Sequence, residues 1–330
     1  MKRISCEKIK HLAEEIKRHK RFLVTTHVNP EGDALGSQLA LYFLLKKLKK
    51  TVFLINQDPV PTQYYFLPHW DKIGLFKSCQ KDRLRFDCLI VLDCSDLKRA
   101  RQLVKLNREN KPILNIDHHI SNDFFGSLNW VDSNYSSTAE MIYCLYKKMK
   151  IPFDRNCALC LYVGIMTDTG SFRYTNTSSF THQAVSELRR FNFNPYQIYQ
   201  EIFGNIPFKD AQLLIKILSR IRQSKDKKIT WVEIPQSILR ARRFSFDITE
   251  YILSFMRAIK DTCVSVLFKE NFGKKKEVRF NLRSNGKVDV NRIANLFGGG
   301  GHKTAAGGTI EGELKKTRQM LLNYLKKSLK

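Results

Sequence analysis

Apolar residues recur at helical spacing near the start of the chain. Ile4, Ile9, Leu12 and Ile16 stand among charges over residues 4–19, a pattern that predicts a surface helix. RFLVTTH (Arg21–His27) is then a continuous apolar run of strand length, followed by the polar loop VNPEGD and an apolar helix from about Ala34 to Lys49. TVFLI (Thr51–Ile55), FDCLIVL (Phe86–Leu92) and PILNI (Pro112–Ile116) read as further buried strands, with a basic helical stretch near Lys98–Arg108 before the last. Strands alternating with helices predict an α/β fold, an N-terminal mostly parallel sheet with flanking helices. In open sheets of that kind, ligands collect beyond the carboxyl ends of the strands.

From Ser137 to about Arg190 the period becomes helical, and the proline-bearing stretch NFNPYQIYQEIFGNIPFKD reads as a connector. After about Lys225 the texture changes. KKITWVEI, DTCVSVLFKE and KKEVRFNLRS alternate with period two, interleaved with helices at Phe246–Ile259 and Val290–Phe297 and followed by the run GGGGH. The expected organisation is a first domain at 1–190, a helical linker at 191–224 and a smaller C-terminal α/β domain at 225–330.

Composition narrows the class. Apolar residues make up 43% and charged residues 27%, which excludes a disordered or fibrous chain. Lys and Arg outnumber Asp and Glu by 57 to 31, and the resulting +26 suits a polyanionic partner such as nucleic acid. The eight cysteines sit at irregular spacings in apolar runs, the usage of buried thiols in a reducing cytoplasm rather than of a disulfide framework. Cys157 and Cys160 form one CxxC with no second pair, which predicts packing rather than zinc. The basic C-terminal helix is read as packing on its own domain, and no apolar stretch is long enough to span a bilayer. The expectation is a cytoplasmic protein with no membrane partner.

Four separated segments carry the candidate chemistry. They are His27-Val28-Asn29-Pro30-Glu31-Gly32-Asp33, Leu92-Asp93, Asp117-His118-His119 and Thr167-Asp168-Thr169-Gly170. Each follows a predicted strand or lies in an apolar helix. Asp and His without paired cysteines suit a divalent ion such as Mn2+, with Mg2+ or Co2+ as alternatives. Each also has a bland reading: Asp33 could cap the helix at Ala34, and Asp168 could be satisfied by Thr167 or Thr169. Taken together, uncompensated carboxylates in apolar surroundings call for a cation.

HVNPEGDALGS, LDCSD, NIDHHISN and GIMTDTGSFRY, in that order, resemble the motifs of the DHH phosphoesterase superfamily. NLRSNGKVDVNRIANLFGGGGHKTAAGG is similar to the DHH-associated C-terminal domain. Among subfamilies the chain is most similar to the stand-alone NrnA type, an oligoribonuclease and 3′-phosphoadenosine-5′-phosphate (pAp) phosphatase. The resemblance implies a two-ion site that activates a shared water for phosphoester hydrolysis. His27 and Glu31 would bind one ion and Asp33, His118 and Asp168 the other, with Asp93 bridging. Asp117 would orient His118, and His119 would face the substrate phosphate as a donor to the leaving oxygen. Glu31 stands where the family usually has Asp.

The resemblance also casts Arg283, Gly299, Gly300, Gly301 and His302 as holders of the substrate's terminal phosphate. A bare glycine run is otherwise read as a flexible loop or cap. An anchor at a fixed distance from the metals favours short substrates, namely short oligoribonucleotides cut to mononucleotides and pAp cut to AMP and phosphate. A phosphodiesterase for cyclic dinucleotides is the alternative, followed by a non-catalytic nucleic-acid-binding protein. No stable protein partner is implied, and a homodimer stays open.

Overall fold

The computed structural model describes residues 3–79, 84–241, 248–270 and 276–329. The chain divides into two compact units, residues 1–204 and 205–330. The first runs α1 (Arg3–Arg18), β1 (Arg21–Thr26), α2 (Gly32–Lys47), β2 (Thr51–Asn56), β3 (Ile73–Leu75), β4 (Cys88–Leu92), β5 (Ile113–Asp117) and β6 (Leu128–Val131). It continues with α3 (Thr138–Met149), α4 (Arg155–Asp168), α5 (Ser179–Leu188) and α6 (Pro195–Phe203). The strands form one parallel sheet in the order β3-β2-β1-β4-β5-β6.

Both faces of that sheet are covered, which is why its strands read as unbroken apolar runs. Phe22, Val24, Cys88, Ile90 and Leu92 enter one core with α1 to α4, while Leu23, Leu89 and Val91 enter a second core with Leu103 and Leu106. Alternate residues of β1 and β4 thus feed opposite layers. The strand order reverses between β1 and β4, so the loops leaving their carboxyl ends open a crevice there. α2 is buried nearly all round and packs closely on α4. A Cβ on Gly36 would strike the Cys160 carbonyl, and one on Gly164 would strike the Ala139 side chain.

Several boundaries differ from the sequence reading. The second helix starts at Gly32, not Ala34, because Glu31 is the residue that leaves the extended loop. The basic stretch is a 3-10 helix at Leu97–Leu106. The short edge strands β3 and β6 carry too few apolar residues to announce themselves.

The second unit comprises α7 (Phe208–Leu218), β7 (Arg222–Gln223), β8 (Ile229–Ile234), α8 (Gln236–Ala241), α9 (Ile248–Arg257), β9 (Val264–Glu270) and β10 (Glu277–Ser284). α10 (Val290–Leu296), β11 (Gly300–His302), β12 (Ala305–Glu311) and α11 (Leu314–Ser328) complete it. Its sheet has the order β11-β12-β10-β9-β8-β7, antiparallel except for β8 beside β9. Central β9 is buried on both sides: Val264, Val266 and Phe268 meet Leu321 and Leu325 of α11, while Leu267 meets Ile252 and Met256 of α9. The expected alternation therefore holds in β10 but not in β9. The stretch 191–224 is shared, α6 in the first unit and α7 with β7 in the second. Phe246, Asp247 and Lys275, included in the predicted elements, lie outside the described residues, as does the side chain of Cys6. Among the described residues seven cysteines are free, Cys157 and Cys160 being buried in α4, and no helix is long and apolar enough to cross a membrane.

Candidate metal centre

The loops after β1, β4 and β5 and the end of α4 bring the acidic and histidine segments to one place. His27 follows β1. Its Nδ1 donates to the Val28 carbonyl at 2.7 Å, which turns Nε2 toward Glu31 Oε1 at 3.0 Å and Asp93 Oδ2 at 3.5 Å. Asp93 follows β4 in a left-handed conformation (φ 52°), a turn that Asp tolerates and β-branched residues do not. Its other oxygen, Oδ1, accepts from Thr138 Oγ1 at 3.1 Å and lies 3.6 Å from His118 Nε2.

Asp33 does not cap its own helix. It sits inside the first turn of α2, and its two oxygens accept the Thr138 and Ala139 backbone N–H groups at 2.7 and 2.8 Å, capping α3 instead. Nor is Asp168 satisfied by its neighbours, since Thr167 and Thr169 turn their hydroxyls back onto α4 carbonyls. His118 Nε2 stands 3.5 Å from Asp168 Oδ2 and 3.7 Å from Asp33 Oδ2.

The expectation that Asp117 orients His118 does not hold. Asp117 Oδ1 accepts from His119 Nδ1 at 2.7 Å, while His118 Nδ1 donates to the Tyr135 carbonyl at 3.3 Å. Residues two apart share a side of an extended chain, so the last residue of β5 faces His119 and not His118.

Ligand atoms of His27, Glu31 and Asp93 lie within 4.8 Å of one another, and so do those of Asp33, His118 and Asp168. Asp93 presents one oxygen to each group. The separations of 3.5 to 3.7 Å are too long for good hydrogen bonds. They are close to the spacing of two ligands sharing one ion at about 2.1 Å. The donor set is carboxylate and imidazole only, which suits Mn2+, Mg2+ or Co2+ rather than a thiolate-seeking ion.

The electrostatics point the same way. Burial first, then the neighbouring Asp93 and Asp168, push the Asp33 carboxyl well above its usual range. Burial also raises Asp168 to about 6, with His118 opposing and Asp93 adding to the shift. Asp93 is buried too, yet His27, His119 and His118 hold it below its ordinary value. Burial works against the charged imidazoles, but Glu31 and Asp93 lift His27 to about 10, and Asp117 and Asp93 lift His119 to about 9. Protons thus stand in where divalent charge would otherwise compensate the carboxylates.

In the second unit, Arg283 of β10 is in register with Ala305 of β12, which is in register with His302 of β11. Arg283 Nη2 donates to Glu250 Oε2 at 2.9 Å. The second half of the glycine run is an edge strand: Gly300 and Gly301 pair with Gly307 and Ala306, and Gly301 takes φ 145°.

Residues 21–165 match the model of the DHH family, N-terminal domain, and residues 241–329 match the DHHA1 domain, together well over half the chain. The chain belongs to the DHH family of phosphoesterases. This DHH chain is 29% identical to the bifunctional oligoribonuclease and PAP phosphatase NrnA of Thermus thermophilus, over 98% of the chain and 95% of the relative. It is 26% identical to the protein of the same name from Bacillus subtilis, over 91% and 92%. The crystal structure of an exopolyphosphatase-related protein from Bacteroides fragilis superposes with a TM-score of 0.86 at 26% identity, covering 96% of each chain.

Two members of this DHH centre escape sequence reading. Thr138 holds Asp33 through its N–H and Asp93 through its hydroxyl. Asn122 Nδ2 donates to Asp117 Oδ2 at 2.6 Å, and Asn115 Nδ2 donates to Asn122 Oδ1 at 3.0 Å, so a buried amide chain braces the carboxylate that faces His119. Ser137-Thr138 at the start of a predicted helix was the available signal for the first; Asn115 and Asn122 bound the motif NIDHHISN, but the motif gave them no role.

Proposed function

We propose that this DHH phosphoesterase hydrolyses short oligoribonucleotides to mononucleotides and pAp to AMP and phosphate. The observation that carries the reading is Asp93, one carboxylate facing two separate groups of carboxylate and imidazole ligands 3.5 to 3.6 Å away. The full-length similarity to proteins named as oligoribonuclease and PAP phosphatase supports the substrate class.

His27 and Glu31 would hold one ion, Asp33, His118 and Asp168 a second, and Asp93 both, with Mn2+ as the ion. When bound, two such ions lower the pKa of a water and neutralise charge on the phosphoryl oxygens. The chain's own residues do the rest. Asp33 and Asp93, fixed by the α3 N-terminus and Thr138, keep the ligand atoms in place. Asp117 holds Nδ1–H of His119, so Nε2–H is the proton available to the departing oxygen. One P–O bond forms to water, which gives up a proton to solvent; the ester P–O bond breaks, the leaving oxygen takes the His119 proton, and His119 regains one from solvent. In the second unit Arg283, Gly299, Gly300, Gly301 and His302 would bind the substrate's terminal phosphate, with Arg283 supplying a two-pronged contact.

Purified protein with Mn2+ is incubated in parallel with pAp, diadenylate, cyclic di-AMP and a 20-nucleotide RNA. AMP from the first two, well ahead of any product from the others, is the expected result. Turnover confined to cyclic di-AMP would replace the reading with a cyclic-dinucleotide phosphodiesterase. No turnover with any divalent ion would leave a binding protein.

A further inference from the structure

We infer that Arg99 is a phosphate-binding residue of the catalytic centre, its guanidinium contacting the phosphoryl group under attack. The inference rests on the phosphoesterase reading above. Arg99 lies six residues after Asp93 on the 3-10 helix, and its backbone is fixed at both ends. Its carbonyl accepts the Val28 N–H at 3.0 Å, tying it to the residue that follows His27. Its own N–H donates to the Asp96 carbonyl at 2.9 Å, and the Asp96 side chain caps the same turn through Lys98 N–H at 2.8 Å.

The side chain is half-buried, and among the described residues its guanidinium makes no ion pair and no hydrogen bond. Two other shielded arginines are ion-paired. Arg283 meets Glu250 at 2.9 Å and Arg318 meets Glu233 at 2.6 Å. Arg99 is close enough for its charge to oppose protonation of both His27 and His119, the residues that flank Asp93. Yet it bonds to none of the centre's carboxylates. Keeping a partly desolvated cation unpaired is unfavourable unless an anion arrives to meet it. The planar fork of a guanidinium can hold two phosphoryl oxygens at once, which a lysine cannot. Negative charge grows on those oxygens as the bond to water forms, so the contact strengthens toward the transition state.

The test compares wild type with Arg99→Ala, Arg99→Met and Arg99→Lys. Arg99→Met keeps the apolar stem and stands in where Arg99→Ala fails to fold. Hydrolysis of bis(4-nitrophenyl) phosphate is followed with Mn2+, and binding of Mn2+ and of inorganic phosphate to the Mg2+-loaded protein is measured by calorimetry. Loss of one preorganised donor predicts a kcat lower by about 100-fold. Phosphate affinity should fall about tenfold while Mn2+ affinity stays within twofold. Arg99→Lys should recover part of the rate, and added guanidinium should restore activity to Arg99→Ala where methylammonium does not. Unchanged kcat and phosphate affinity would overturn the inference, as would a loss that follows weakened Mn2+ binding. Wild type that cleaves the nitrophenyl ester but neither diadenylate nor pAp would sink the proposed substrates and leave the Arg99 comparison intact.

Discussion

Thr138→Val isolates one contact at the centre. Valine has nearly the shape of threonine, and residue 138 is fully buried, so packing is preserved. Its backbone N–H still serves Asp33, because that bond does not involve the side chain. What disappears is the 3.1 Å hydroxyl bond to Asp93 Oδ1. A hydrogen bond to a charged group contributes about 1.5–3 kcal/mol. At about 1.4 kcal/mol per tenfold, that is a 10- to 100-fold loss of Mn2+ affinity, the range found when outer partners of metal ligands are removed. Calorimetric titration of metal-free protein measures it, with Thr138→Ser as the control that keeps the hydroxyl. An affinity for Thr138→Val within twofold of wild type would refute the reasoning. So would Thr138→Ser binding as weakly as Thr138→Val.

Asp93→Asn should lower Mn2+-dependent turnover at least about 1,000-fold with the far-UV circular dichroism unchanged, since a neutral amide cannot bridge two cations. Arg283→Ala or His302→Ala should raise KM for diadenylate far more than it lowers kcat, as steady-state kinetics will show. Without metal, thermal stability should fall as pH rises. Asp168, raised to about 6, contributes fully below the ordinary aspartate range and loses its contribution as pH passes 6; His119 and His27 contribute fully below about 6.5 and lose theirs toward about 9 and about 10 respectively. Scanning fluorimetry from pH 5 to 9.5 in chelator should show the decline, and saturating Mn2+ should flatten it. Gly164→Ala places a Cβ against Ala139 and 3.0 Å from Asp33 Oδ1, so it should destabilise by about 1–3 kcal/mol in urea titration and weaken Mn2+ binding.

The parallel core was readable because burial on both faces leaves unbroken apolar runs such as CLIVL, bounded by polar residues. Asp93, Asp117 and His27 were readable as site residues because strand ends are where such a fold exposes them. Strands β3 and β12 were not: the first has three residues, and AAGGTIE owes its pairing to neighbours rather than to apolar content. Thr138, Asn122 and Arg99 share another difficulty. Each matters through an atom from a distant segment, Asp93 45 residues away in the case of Thr138, and periodicity carries no such information. The misassigned partner of Asp117 was an error of side rather than of position. His118 and His119 are adjacent, and only the direction of the chain leaving β5 decides which imidazole the carboxylate meets.

Asp33 gives the same two oxygens to the start of α3 that it would offer to an ion. A descendant that gave up catalysis could discard Glu31, half in solvent, at little structural penalty, but loss of Asp33 would strand two amide hydrogens deep inside the molecule. Retired copies of this enzyme should therefore show erosion that begins at the solvent rim and spares the aspartate beneath it.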